Sequence, residues 1–528
     1  MRRLHPILGS LVAASMLASC SSGGNPATPN TNVAQLPLQT KLPKVLRLGH
    51  TPAHPPPRRH VVTAAMRARA KKGGWTELSA SSPFANGADS EIQMTDGTVL
   101  VRDYCTSNWF KLTPDKTGSY QDGTWSAVAA LPSGYGPLYF ASAILPDGKL
   151  IINGGEYNFC SGDETPLGAI YDPVANTWAS VSPPSGWGQI GDGQSVVLAN
   201  GTYMIGNCCT SVQAEYDEST STWTQVGSGK ADANSEEGWT LLRTGDVLTA
   251  DVIKAPNSEL FNPTSGSWSS AGTLPVNLTQ AEEIGPQAMM PNNIVLVVGA
   301  NGLTALYNAN TSAWSQGPTL PLLNGQQLDV ADGPATVLTN GNVLIAASPG
   351  VYSTPAQFVL YNGKKKIKLF PTPASAVNDS SYNIRLLLLP TGQVLETDDS
   401  GDVEIYTGPS AAYRGIAPKI TSVPMTLVRG STYTISGKRF NGASQTNFYG
   451  DDDQQASNYP LVRITNSGSG SVAYARTYGF SSMAIGSSAA VSASFVVPSG
   501  IGTGPAELEV VTNGIASKAV SVTIDSSR

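Results

Sequence analysis

The chain has 528 residues, of which only 13% are charged, with 54 Gly, 37 Pro and 5 Cys. That charged share is about half the usual ~25% and the breakers are spread throughout, which excludes a coiled coil, a helical bundle and a disulfide-dense mini-domain. Residues 1–72 carry 11 Lys/Arg and no Asp/Glu, so of the 32 basic and 38 acidic groups the remainder holds 21 and 38, a net −17 that argues against a nucleic-acid partner.

In chain order, Arg2-Arg3, an apolar run from Ile7 to Leu17 and Leu17-Ala18-Ser19-Cys20 read as a lipoprotein signal peptide over residues 1–20, with Cys20 as the lipid attachment. The apolar run is too short for a permanent span. Residues 21–72, rich in Pro, Ser, Thr and basic groups, read as a disordered tether. These features predict an exported protein, lipid-anchored to the bacterial cell envelope at the outer membrane or cell surface, with the membrane as a partner through the anchor.

From residue 73 one pattern recurs. It is clearest in Ser142 to Gly155 and Ala169 to Trp178: an apolar run, Pro146-Asp147-Gly148, a second apolar run, Gly154-Gly155, then Tyr171 and Trp178. The turn supplies a preset φ and a φ > 0 position, so each copy predicts antiparallel strands joined by tight reversals. Later copies carry Tyr216 and Trp223, Phe261 and Trp268, Tyr307 and Trp314, then two weaker ones with Tyr361 and Tyr406; a degenerate first copy holds Trp109 and Trp125. That makes seven four-stranded units over residues 73–410, a β-propeller. The last unit lacks its Trp, and Trp75 stands unattached ahead of the first, so an N-terminal strand is expected to complete the ring. Residues 416–527 alternate at period two, as in Thr432-Tyr433-Thr434-Ile435 and Glu507-Leu508-Glu509-Val510, and predict an immunoglobulin-like β-sandwich.

Cys105, Cys160, Cys208 and Cys209 permit two disulfides in three pairings. Cys105 and Cys160 follow the second strands of neighbouring units, which favours 105–160 and leaves the vicinal pair 208–209.

The repeats, followed by Tyr449-Gly450-Asp451-Asp452-Asp453-Gln454-Gln455, resemble the galactose oxidase and glyoxal oxidase superfamily over residues 73–527. The resemblance implies an all-β fold, a seven-bladed kelch-type propeller followed by an immunoglobulin-like sandwich of the early-set type. It also implies copper on two Tyr and two His, one Tyr being cross-linked to a Cys. Tyr139 and Tyr382 match the two Tyr, but Asn383 follows Tyr382 and Asp89 stands where the Cys belongs. All four His (5, 50, 54 and 60) precede residue 73, so the folded part offers no imidazole to copper. Asp451 to Asp453, shared with the family motif, is expected to brace the domain junction.

Carboxylates precede the first apolar run of nearly every unit: Asp89 or Glu91, Asp192, Glu236-Glu237, Glu282-Glu283, Asp332 and Asp379. In a propeller these positions gather at one mouth of the central channel. The family sends a C-terminal hairpin there, and the matching segment, Arg476 to Met483, offers Tyr478. Asp89, Tyr139, Glu237, Asp332, Tyr382 and Tyr478 are therefore the candidate ligand-binding residues, for a carbohydrate or other polyhydroxylated ligand. No cofactor, metal or catalytic residue is expected. Two readings stand beside this one: a glycan-cleaving enzyme using channel carboxylates, and a structural envelope protein binding other proteins.

Overall fold

A computed structural model describes residues 63–408 and 411–526. The signal peptide, Cys20 and most of the tether lie outside the described residues. The last nine residues assigned to the tether, Ala64–Lys72, form a helix instead. Ala, Met, Arg and Lys are strong helix formers, and the Thr63 hydroxyl accepts a hydrogen bond from the Met66 amide at 3.2 Å.

The rest is strand. Seven sheets each carry an antiparallel meander in chain order. Their first strands are Ala88–Gln93, Ala141–Ile144, Ser195–Val197, Thr240–Leu241, Ile284–Met289, Ala335–Val337 and Arg385–Leu388, and the sheets are called one to seven below. These first strands lie side by side: that of sheet two against sheet three, three against four, and so on to seven against one. Sheets one and two meet through Trp109, 5.6 Å from Trp178 and 6.3 Å from Phe140. The first strands are buried along their length and the fourth mostly exposed, as a radial arrangement about an axis requires.

One aromatic pair recurs in register. Tyr171 faces Trp178, Tyr216 faces Trp223, Phe261 faces Trp268 and Tyr307 faces Trp314 across the third and fourth strands, with ring centroids 4.9 to 5.4 Å apart. Each indole N–H then reaches the preceding sheet: Trp178 donates to the Ala129 carbonyl at 2.9 Å and Trp223 to Ser182 at 2.8 Å. The Trp thus fills its own sheet and ties it to its neighbour. Sheet seven obtains its Trp from the N-terminus. Trp75–Glu77 pairs with Val403–Tyr406, Trp75 faces Tyr406, and its indole donates to Pro371 of the neighbouring segment at 2.9 Å. Gly154 has φ +76°, and a Cβ there would lie 2.2 Å from the Gly191 carbonyl, so the pattern's glycine is required where sheets two and three approach.

Residues 419–525 form two further sheets of four and six strands. They belong to the same compact unit as the seven sheets. The physical reason is a segment, 444–458, that leaves this module and runs along the axis of the ring. Asn447–Phe448 pairs with Ala335–Val337 of sheet six. Ser444 donates to Met289, the Leu241 amide to Gln445, the Leu388 amide to Asn447, Ser90 to Asp453 and Ser142 to the Gln454 carbonyl, at 2.7 to 3.2 Å.

Candidate functional site

The entries to the first strands share a backbone feature. Tyr139, Glu236, Glu282 and Asp332 have φ of +54°, +58°, +64° and +54°. Each such non-glycine residue costs about 1–2 kcal/mol, and such residues cluster where the surroundings over-determine side-chain direction. Tyr139, Glu236 and Asp332 are buried toward the axis, whereas Glu282 is exposed and its neighbour Glu283 takes the axial place. One carboxylate oxygen from each of Glu236, Glu283 and Asp332 lies within 4.8 Å of the others, and Glu236 forms a like group with Asp192 and Asp451. These buried carboxylates make an arc over sheets three to six, completed by Asp451 from the axial segment. Gly450 passes so close that a Cβ would sit 2.1 Å from Asp332 Oδ1.

A charge network fills the other side of the axis. Arg385 opens the first strand of sheet seven and pairs with Asp89 at 3.3 Å, Asp453 at 2.8 Å and Asp399 at 3.6 Å. Arg102 pairs with the second oxygen of Asp89. Burial pushes the Arg385 guanidinium down, but Asp453 and Asp399 hold it well above its ordinary value. The guanidinium carbon also lies 5.1 Å over the Tyr139 ring and 5.3 Å over the Tyr449 ring.

Aromatic residues join the two halves. Tyr139, Tyr157 and Tyr382 pack with Leu138 and the Cys105–Cys160 disulfide, and the partly buried Tyr104 and Tyr352 cover them. Tyr352 meets Tyr382 edge-on at 5.7 Å and donates its hydroxyl hydrogen to Glu283. Burial and the carboxylates of Glu283, Asp332 and Glu236 hold that phenol far above its ordinary value, so it stays a donor. The second disulfide joins Cys208 and Cys209.

Four candidate residues therefore converge: Asp89, Tyr139 and Tyr382 through Arg385, and Asp332 through Tyr352. Two do not. Glu237 turns into the interior of sheet four, 2.9 Å from the Lys230 ammonium, while its neighbour Glu236 takes the axial place. Consecutive side chains point to opposite sides of an extended segment, so only one of the two faces the axis. Tyr478 stays in the C-terminal module, with its ring 4.5 Å from the Arg476 guanidinium and its hydroxyl 3.5 Å from Thr432. The axial segment is 444–458, so 476–483 has no call to enter the channel; Phe480 stacks on Tyr459 instead. Sequence reading missed Arg385, Arg102, Asp399 and Tyr352, and named Glu283 only within the pair Glu282-Glu283. The signal available for Arg385 was a lone charge opening an apolar run, Arg385 to Leu389.

The residues present do not fit the copper that the resemblance implies. Tyr139 and Tyr382 share one cluster, but no His lies among the described residues. Asn383 is committed to Asp399 and to the Ser380 amide, both at 3.2 Å, and the Arg385 cation covers the Tyr139 ring. A cationic group beside one Tyr and an amide in place of imidazole leave copper(II) without its nitrogen donors.

The sheets, their circular order and the threaded axis define an all-β, propeller-type protein. No protein-family model matches the chain, and no curated protein matches it. Among solved structures it is similar to a fungal alcohol oxidase of the AA5 family in complex with copper, at 12% identity over 86% of this chain and 98% of that one, TM-score 0.47. It is also similar to a streptogramin B lyase (10% identity, 63% and 95% covered, TM-score 0.45) and to a catalytically inactive virginiamycin B lyase from Staphylococcus aureus with quinupristin (8% identity, 63% and 99% covered, TM-score 0.46). At these scores nothing about activity passes to this chain, and the fold rests on its own sheets.

Proposed function

We propose that the chain is a seven-bladed kelch-type propeller with an immunoglobulin-like C-terminal domain, held to the bacterial envelope through Cys20, that binds a polyhydroxylated ligand of the carbohydrate class without copper redox chemistry. The observation that carries the binding reading is Tyr352, a partly exposed ring lying between Tyr382 and the group of Glu236, Glu283 and Asp332. Tyr faces cover the C–H faces of a sugar ring, and carboxylates accept hydrogen bonds from its hydroxyls. The lack of imidazole among the described residues supports binding over copper oxidation. The anchor rests on Leu17-Ala18-Ser19-Cys20 and the basic segment behind it.

A glycan array probed with the full mature chain tests the ligand. Retention of a defined glycan class, weakened at least tenfold by Tyr352→Phe or Asp332→Asn while folding is kept, is the expected result. Release of new reducing ends from a retained glycan replaces this reading with the hydrolytic one, and no retention on any glycan overturns it. Cys20→Ser is expected to move the protein out of the membrane fraction; unchanged fractionation rejects the anchor.

A further inference from the structure

Away from the axis, we propose that sheet four holds a divalent cation of the calcium type, bound by Asp232, Glu237 and Asp251. Asp232 and Glu237 belong to the connection that enters sheet four, and Asp251 directly follows its second strand, Val247–Ala250. One carboxylate oxygen from each lies within 4.8 Å of the other two. That spread suits three oxygens each about 2.3–2.6 Å from one ion.

The local hydrogen bonds leave one oxygen each of Asp232 and Asp251 without a donor, while the Glu237 oxygens lie 2.9 and 3.2 Å from the Lys230 ammonium and would be shared between it and the ion. Asp232 Oδ2 is fixed by the amides of Val252, Ile253 and Lys254 at 3.0, 3.1 and 3.2 Å, whereas its Oδ1 is buried with no hydrogen-bond donor. Asp251 is 3% exposed and its buried Oδ1 also meets no donor. The buried ammonium of the region, Lys230, is committed to Glu237 at 2.9 Å and to Glu259 at 2.7 Å. Lys254, on the solvent side, gives its ammonium to the Ala231 carbonyl. Glu259 Oε1 accepts the Ala231 amide at 2.7 Å and its Oε2 the Asp232 amide at 3.1 Å.

Four buried carboxylates thus face one buried ammonium, and a dry site does not keep such a surplus of charge. Either protons or a cation must offset it. The three oxygens lie close enough for one ion to meet all of them, and the two without donors gain a partner from it. Oxygen-only donors select a hard cation, and the irregular mounting on a connection and a strand end favours calcium over the strict octahedron of magnesium. Water and backbone carbonyls would complete the shell.

The test is calcium titration of the full mature chain by calorimetry and by thermal unfolding at pH 8, with magnesium in parallel. The expected result is one calcium per chain, a higher unfolding midpoint, a response to magnesium at least tenfold weaker, and loss of the calcium effects in Asp251→Asn. Asp192→Asn, in the axial arc, should leave them unchanged. Terbium offers a readout that survives a poorly folding variant: Trp239 Nε1 lies 3.5 Å from Glu237, so indole-sensitised emission should appear in the unaltered chain and fall in Trp239→Phe. No calcium binding at millimolar concentration, calcium lost with Asp192→Asn but kept in Asp251→Asn, or terbium emission without an indole excitation band each overturns the site.

Discussion

Around Arg385, three buried carboxylates (Asp89, Asp399 and Asp453) face two guanidinium groups, whereas in sheet four, four buried carboxylates face one ammonium. Both sets are buried, and yet their fates differ. The two guanidiniums nearly match the three carboxylates they pair with, and Asp453 and Asp399 hold the Arg385 proton in place. In sheet four, burial outweighs the pull of Lys230, and Glu237 and Asp251 are driven toward their neutral forms. Near counter-charge and burial act together, and one ammonium shared among four carboxylates does not offset their burial. The axial network is a structural pin; the one in sheet four has capacity to spare.

The largest expected effect breaks the balanced side. Arg385→Met removes the guanidinium from Asp399 and Asp453 and one of the two from Asp89, and should cost about 3–5 kcal/mol in urea unfolding, with no relief from calcium. A loss under about 1 kcal/mol would mean that water or protons already share that charge. Lys230→Met breaks the unbalanced side, and its cost should depend on pH: near 1 kcal/mol at pH 5.5, where Asp251 and Glu237 take up protons, and about 3 kcal/mol at pH 8.5. A flat pH response would remove the distinction between the networks.

In the unaltered chain without added cation, Asp251 and Glu237 have folded values of about 7 and 8, raised above their unfolded values near 4. Their contribution is fully present below about pH 4 and is lost as pH rises through 7 to 8, so the unfolding midpoint should fall by roughly 2–4 °C from pH 5.5 to 8.5. Asp251→Asn should flatten that fall. The smallest effect is that of Tyr352→Phe, which loses its bond to Glu283 and should cost about 1 kcal/mol of stability while acting mainly on ligand retention. A larger stability loss would move Tyr352 from the binding surface to the core.

Most of the meander was legible because aromatic pairs and turn residues are local signals. Trp75 could be assigned to sheet seven for the same reason: the pattern had one vacancy and one spare Trp. The axial chemistry was legible only in outline. Carboxylates before the first strands announced an acidic mouth, but residue type does not reveal which of Glu236 and Glu237 faces the axis. Asp453 meets Arg385 across 68 residues of sequence and Ser90 across 363, distances over which no periodicity carries information. The expectation that 476–483 enters the channel came from the resemblance, whose family sends a C-terminal hairpin there, whereas the chain threads it with Asn447, Asp451 and Asp453, polar groups satisfied by the first strands and their entries. Helix Ala64–Lys72 was hidden by its lack of an apolar face; only Ala70 is buried.

The three-residue strand that begins at Trp75 also has a place in time. Trp75 is synthesised 296 residues ahead of Pro371, the acceptor of its indole hydrogen bond, and its strand partner Tyr406 comes later still. The first strand made must therefore wait for the last sheet made, and the ring stays open through nearly all of its own synthesis. A chain cut short anywhere before Val403 keeps an unpaired strand and an exposed indole, features that proteases and chaperones recognise. Closure by the N-terminus thus works as a completeness check: only a full-length ring hides the segment that was exposed first.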